Sequence, residues 1–466
     1  MSGRVRDITL RVACAQLEAV PVFRAREALA QILRAVAQAG RAKAGLLVLP
    51  ECSYPGYVLL DANPYRASIP SDGQALAAIS HAARRARCAV AVGIARRRSS
   101  ALFNEAVLID KDGVEIGGYD KTRLWNFDQH WFRSGRALPV FDTAFGRVGM
   151  LICADGRNPE IARTLVAKGA WLLLNPTAWV GTGASHDRIR NVQADYMLRV
   201  RALENGCWIA AASKCGSELG AVHYAGASQI VDPEGVIVAR ASQSHPELIV
   251  ADVRRRASKP FVAVLSAADR KALRAQPPRN GAPHRVPPRV WIGVYQSGRS
   301  RRDDPKALKA LAVQQPLVIV RTGASAPAIA AALRKMPGLR LHVISGRAMV
   351  AVEPVRAAAL RGVDLIAWAS PPAGLPLLDI ARTRAVENRV YVLICSRSTA
   401  DDPACLVHPD GSVVASALQG TPSGFVAAID VIAARRKEIV PLTQTFADRL
   451  PEAYRWLDGS KRVAVS

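Results

Sequence analysis

A mixed-sheet α/β layer fold is predicted from three features of the sequence. Short β-rich apolar runs alternate with longer Ala-, Leu- and Arg-rich runs through the first 250 residues. Apolar residues in the longer runs recur at helical spacing, and an Asp-Gly turn marks a hairpin between two of the short ones. Strands alternating with helices, with some hairpins, build layers of helix on sheet.

The elements follow in chain order. Val12 to Gln16 reads as a buried strand, and Arg24 to Ala39 as an amphipathic helix. Leu46 to Leu49 is a strand ending at Pro50-Glu51. Gln74 to Ala86 is helical and Cys88 to Val92 a strand. Ala106 to Ile109 and Val114 to Ile116 form the hairpin, around the turn Asp110 to Gly113. Arg147 to Ile152 is a strand, and Pro159 to Lys168 a helix.

At 466 residues the chain exceeds what one hydrophobic core holds, so two domains are expected. Residues 274–289, rich in proline and poor in apolar residues, read as a linker. That divides the chain into 1–273 and 290–466. The second part resembles a shortened copy of the first. Ile292 to Gln296 repeats Val12 to Gln16, and Gly362-Val-Asp-Leu-Ile repeats Gly169-Ala-Trp-Leu-Leu. Arg384-Ala-Val-Glu-Asn388 repeats Arg201-Ala-Leu-Glu-Asn205, and Val407-His-Pro-Asp-Gly411 repeats Val231-Asp-Pro-Glu-Gly235. The spacing between matched segments shrinks along the chain, so the second copy carries deletions, the largest before Gly362.

The net charge is +25, from 63 Lys and Arg against 38 Asp and Glu. The arginines are scattered, without interleaved aromatics or a helix-turn-helix, RNP or zinc-finger pattern, so no nucleic-acid partner is expected. No run approaches 18 apolar residues, so no membrane span is expected, and no signal region precedes the first strand. A cytoplasmic protein is the expectation. Eight cysteines show no zinc-type pairing and read mostly as reduced, buried thiols; no metal site is expected.

Three residues stand out. Cys153 ends an apolar strand and precedes a turn and a helix, a junction whose backbone N–H groups favour a thiolate and an oxyanion. Glu51 also leaves a buried strand, where partial desolvation raises a carboxylate toward the range of a general base. Lys121, in Tyr119-Asp-Lys-Thr-Arg-Leu124, could supply a fixed positive charge. Taken singly, each also reads as a structural residue: a buried thiol, a loop glutamate, a surface lysine.

Their order and contexts together resemble the nitrilase superfamily. Leu-Leu-Val-Leu-Pro-Glu51, Tyr-Asp-Lys121-Thr-Arg-Leu and Gly-Met-Leu-Ile-Cys153-Ala-Asp-Gly-Arg-Asn-Pro-Glu160 are similar to its Glu, Lys and Cys motifs, densely over residues 8–255. The resemblance implies an α-β-β-α sandwich, here in tandem with a degenerate second copy. It also implies a Cys153 nucleophile, a Glu51 base, an oxyanion site from Lys121 and the Ala154 N–H, and no cofactor. The family's second glutamate falls at Asp128, one methylene shorter. Ala154-Asp155 after the cysteine is similar to amidases and N-carbamoyl hydrolases, so a small amide or carbamoyl compound is the expected substrate. Arg157 would hold a substrate carboxylate or pair with Asp155 or Glu160, with Ala154 and Trp179 as further substrate contacts. In the second copy Thr322 takes the place of Glu51, the lysine segment is deleted, and the cysteine position falls near Ser345-Gly346. That copy is expected to act as an intramolecular pseudo-dimer mate, with further homo-oligomerisation open. A catalytically silent binding protein on the same scaffold is the alternative.

Overall fold

The computed structural model describes residues 8–60, 70–181, 189–256, 259–277, 289–296, 304–314, 316, 318–396, 403–419 and 421–458. It divides into two compact units, with the break between Pro260 and Phe261.

In the first unit the elements are β1 (Thr9–Glu18), α1 (Ala25–Arg41), β2 (Leu46–Val48), α2 (Asp72–Ala86), β3 (Ala89–Arg98), β4 (Ala101–Ile109), β5 (Glu115–Asp120) and α3 (Asp128–Trp131). There follow β6 (Val140–Thr143), β7 (Gly146–Met150), α4 (Pro159–Ala167), β8 (Leu172–Pro176), α5 (Leu198–Asn205) and β9 (Trp208–Ala212). The unit closes with β10 (Lys214–Glu218), β11 (Val222–Ala225), β12 (Gln229–Val231), β13 (Ile237–Arg240) and β14 (Glu247–Arg254). One sheet has the order β11-β10-β1-β2-β3-β4-β5, with β14 antiparallel to β1. The other runs β13-β12-β9-β8-β7-β6.

Local chemistry explains the boundaries. In α1, Ala28, Ile32, Ala35, Val36 and Ala39 recur at helical spacing and are buried. Ser71 caps α2 by accepting from the Gln74 N–H, while the Gln74 side chain bonds back to Ser71. Pro159 opens α4, where its missing N–H costs nothing. Gly206, with φ 59°, ends α5. Helices α1 and α2 cover one sheet: Ile32, Val36, Ile79 and Ala83 share a core with Leu47, Val90 and Val92. Each buried Ile, Leu or Val among them contributes about 1.5–3 kcal/mol by leaving water. Strands β1 and β2 face β9 and β8 of the second sheet, which carries α4 and α5, and this is the α-β-β-α layering.

The second unit begins with α6 (Ala267–Arg274), then β15 (Arg289–Gln296), α7 (Pro305–Val313), β16 (Val318–Arg321) and α8 (Ala326–Leu333). It continues with β17 (Leu341–Ser345), α9 (Val352–Leu360), β18 (Leu365–Ala369), α10 (Leu377–Asn388), β19 (Tyr391–Cys395), β20 (Cys405–Val407), β21 (Val413–Ser416) and β22 (Ser423–Asp430). The break at 260 precedes the expected 273 because Leu265 and Leu273, flanking and within α6, pack on Ala357. Of the expected linker, 278–288 lies outside the described residues. Gln276 is bonded within the second unit, to the carbonyls of Ala447 and Arg449, and Arg289 already belongs to β15.

Pairing in the second unit repeats part of the first. Strand β15 is parallel to β16 and antiparallel to β22, as β1 is to β2 and β14. The order β17-β18-β19-β20-β21 matches β7-β8-β9-β12-β13 in direction, with a register shift at Leu406/Val407 as at Ile230/Val231. Side chains follow suit. Gln16 donates to the carbonyls of Ser242 and His245, and Gln296 to those of Leu418 and Thr421. Arg201 pairs with Glu204 and donates to Gly156 O; Arg384 pairs with Glu387 and donates to Met349 O. These ladders place Gly323, not Thr322, at the position of Glu51: Val12 stands opposite Leu46, and Ile292 opposite Val318. The expected alignment was one residue out of step. By the same count Gly346 takes the place of Cys153.

Candidate active site

Three chain segments converge where the two sheets meet. Glu51 follows β2, Lys121 follows β5, and Cys153 follows β7. The Glu51 N–H donates to the Thr177 carbonyl just past β8, 3.3 Å away, which ties one sheet to the other at this edge. Lys121 takes part in its own sheet through its N–H to the Asn104 carbonyl, 2.8 Å.

The Lys121 ammonium bridges two carboxylates, lying 2.6 Å from Glu51 Oε1 and 2.5 Å from Asp128 Oδ2, with all three side chains fully buried. The second oxygens, Glu51 Oε2 and Asp128 Oδ1, are buried without a hydrogen-bond partner among the described residues. Asn104 Nδ2 donates to Glu51 Oε1 at 2.7 Å, and the Trp125 N–H to Asp128 Oδ2 at 3.0 Å. One cation between two anions leaves an excess negative charge, so one carboxylate should hold its proton more tightly. Glu51 is the one raised, chiefly by burial, with the charges of Lys121 opposing and Asp128 adding. Burial alone would lower the Lys121 amine; Asp128 and Glu51 outweigh it and hold the ammonium well above its usual range.

Cys153 sits on a left-handed corner, φ 43°, with 8% of its surface exposed. Its N–H donates to Asn175 Oδ1 at 3.1 Å, and its Sγ lies 3.8 Å from the Ala178 carbonyl. Burial pushes the thiol up to about 12; the Glu51 charge adds to this, while Lys121 and the Thr177 hydroxyl draw it down. The sulfur therefore feels both partners, and it rests as a thiol until a base removes its proton.

The remaining expected residues fall around this group. Ala154 is buried directly after the cysteine. Trp179 is fully buried, its N–H donating to Ser213 Oγ. Arg157 is partly exposed and stacks on the Trp125 ring, 4.5 Å from its centroid. Tyr57, Phe127, Tyr224 and Trp131 form an aromatic wall, with Tyr57 5.4 Å from Phe127 and 6.2 Å from Tyr224. Tyr57 also faces Lys121 at 6.0 Å and the buried Lys214 at 5.7 Å. Lys214 pairs with Glu218, whose carboxylate takes the N–H groups of Tyr57 and Val58.

Asn104, Asp155, Asn175 and the Lys214–Glu218 pair are the residues that sequence reasoning missed. Asn104 carried a signal: a polar side chain inside the apolar run that became β4. Among the described residues no group of three or more His, Cys, Asp or Glu side chains is placed to hold a metal, and no helix is long and apolar enough to cross a membrane.

A model of the carbon–nitrogen hydrolase family matches residues 11–260. Relatives include a protein described as hydrolase in pqqF 5′ region from Pseudomonas protegens, 36% identical over 42% of this chain and 68% of its own length. A nitrilase from Pyrococcus abyssi is 30% identical over 47% of this chain and 80% of its own. The deaminated glutathione amidase of Mus musculus is 30% identical over 47% and 70%. Among solved structures, an amidase from Nesterenkonia sp. is 28% identical, covering 52% of this chain and 90% of that one, with a TM-score of 0.46.

Proposed function

Because this chain belongs to the carbon–nitrogen hydrolase family, we propose that it cleaves the non-peptide C–N bond of a small amide or N-carbamoyl compound through a thioester on Cys153. The observation that carries this reading is the fully buried ammonium of Lys121 between Glu51 and Asp128, beside a thiol that both Glu51 and Lys121 influence.

Each group has a step suited to it. Glu51 takes the Sγ proton as sulfur adds to the carbonyl carbon. The oxyanion that forms is held by the Lys121 ammonium and the Ala154 N–H. As the C–N bond breaks, Glu51 returns the proton to the departing nitrogen, which leaves as ammonia or an amine. Glu51 then deprotonates water, which attacks the thioester; the acid leaves and the thiol recovers its proton. Asp128 steadies Lys121, and its free oxygen can accept from the leaving nitrogen.

Arg157 on Trp125 supports an anionic substrate of the carbamoyl amino acid type, since a guanidinium takes a carboxylate through two parallel bonds. All eight cysteines are buried and none forms a disulfide, which fits a reducing compartment, so the cytoplasm is the proposed location. The second unit, with Gly323 and Gly346 at the register positions of Glu51 and Cys153, is proposed to be a degenerate, non-catalytic copy.

The test is incubation with a panel of amides and N-carbamoyl amino acids, measuring ammonia release and intact mass. An acyl adduct on the Cys153 peptide, lost in Cys153→Ala, is expected. No release and no adduct across the panel would leave a binding protein on this scaffold.

A further inference from the structure

Building on the hydrolase reading, we infer that Asp155 is a positioning residue that sets the spacing between Lys121 and Cys153.

The two groups belong to different sheets, each held together by its own backbone ladder, so neither ladder fixes the distance between them. Asp155 joins the two directly. It lies two residues after Cys153 and is fully buried. Its Oδ1 accepts from Thr122 Oγ1 and from the Arg123 N–H, both at 2.9 Å. Its Oδ2 accepts from Tyr119 Oη at 2.8 Å and from the Ile152 N–H at 2.9 Å. Residues 119, 122 and 123 bracket Lys121, while residue 152 precedes the nucleophile. One carboxylate thus grips both sides of the lysine and the base of the cysteine corner.

Four donors fill the four lone-pair sites of an ionised carboxylate. No neutral side chain of this size can replace it. An asparagine offers one acceptor oxygen and turns its NH2 group toward one hydroxyl, which can reverse and accept, and one backbone N–H, which cannot, so at least the Ile152 or the Arg123 N–H loses its acceptor. Burying donors without acceptors costs free energy that the loop relieves by moving away. Because Lys121 lies inside the gripped segment, its ammonium moves with the loop. A displacement near 1 Å in a reacting group costs on the order of 100-fold in rate.

The experiment follows the alkylation of Cys153 by iodoacetamide across pH, read on the Cys153 peptide by mass spectrometry, and needs no knowledge of the substrate. Wild type, Lys121→Met, Asp155→Asn and the milder Thr122→Val are compared as full-length protein, with melting temperatures measured alongside. Loss or retreat of the Lys121 charge makes the thiolate harder to form, slowing alkylation about tenfold at each pH. Asp155→Asn should slow it as Lys121→Met does, and Thr122→Val by a smaller factor. On any substrate found, Asp155→Asn should lower kcat by about 10- to 100-fold with little change in KM. If Asp155→Asn lowers only the melting temperature, with alkylation rate and kcat at wild-type values, Asp155 is structural alone and the inference is overturned. If Asp155→Asn does not fold, Thr122→Val decides by the same two readings. A wild-type alkylation rate in Lys121→Met is a different failure: it removes the Cys–Lys reading of the site, and this inference with it.

Discussion

Lys121 Nζ stands 2.6 Å from Glu51 Oε1, and neither side chain reaches solvent. Asp128 completes an ion triad on the same ammonium. A buried triad of this kind gives little net stability over an apolar replacement of the same shape, yet it is costly to break, because the partners left behind are charged and dry.

Removing the central cation should therefore show in stability as well as in rate. Lys121→Met is expected to lower unfolding stability by about 3–5 kcal/mol in urea titration. On any substrate found, kcat should fall by on the order of 100-fold or more as the oxyanion loses its counter-charge. A variant as stable as wild type would mean that the triad is not dry.

The pH profile should carry the signature of Glu51. The base works only when ionised, and burial raises its folded-state value above the ordinary carboxylate range. Activity is then present above that raised value and lost as pH falls through it, so the acid limb of kcat/KM should lie well above about 4.3. Asn104 donates to the ionised form. Asn104→Leu should move the limb further up, and a limb unmoved or shifted down would count against Glu51 as the base.

Gly93 offers a steric probe of the same carboxylate. A Cβ there would lie 2.4 Å from the Pro50 carbonyl and 2.5 Å from Glu51 Cα, so Gly93→Ala must push the turn that carries Glu51. The backbone is on both sides of the contact and yields little. Activity should drop at least tenfold and stability by about 1–3 kcal/mol, seen in paired kinetic and thermal measurements.

The matched arginines separate the two units. Arg384 is fully buried, pairs with Glu387 at 2.5 Å and donates to the carbonyls of Met349 and Val350. Arg384→Met takes the buried counter-charge from that glutamate and should destabilise the second unit by about 3–5 kcal/mol, leaving the pH profile of Cys153 alkylation unmoved. Arg201→Met breaks the equivalent pair in the first unit and its bond to the Gly156 carbonyl, just past Cys153. It should alter both stability and the Cys153 profile.

Arg157 is tested by charge. Arg157→Met should raise KM about tenfold or more for substrates bearing a carboxylate and leave neutral amides within twofold. Equal effects on both classes would assign the guanidinium to its stack on Trp125.

The layers and the positions of Glu51 and Cys153 at strand ends were readable because each follows an apolar run, whereas Lys121 follows the mixed strand β5 and stood out only through the resemblance of its motif. Asn104 and Asp155 were not, because their roles come from partners 53 and up to 36 residues away in sequence, across a ladder or between sheets. A residue-by-residue reading sees only a polar side chain in a strand or turn. The slip from Gly323 to Thr322 has the same origin: a short apolar run fixes that a strand exists, while hydrogen-bond partners fix its register. The unit boundary moved because the Pro-rich segment marks where helices stop, whereas the packing of Leu265 and Leu273 decides which core a helix joins.

The left-handed corner at Cys153, φ 43°, has its register counterpart at Gly346, φ 58°. Glycine occupies that geometry without penalty; a side chain there costs about 1–2 kcal/mol. At 346 nothing lies within 4 Å of where a Cβ would be, so crowding does not impose the glycine. The first unit thus carries a tense backbone corner beneath its thiol, and the second, with glycine at the matching corner, holds the same turn without strain.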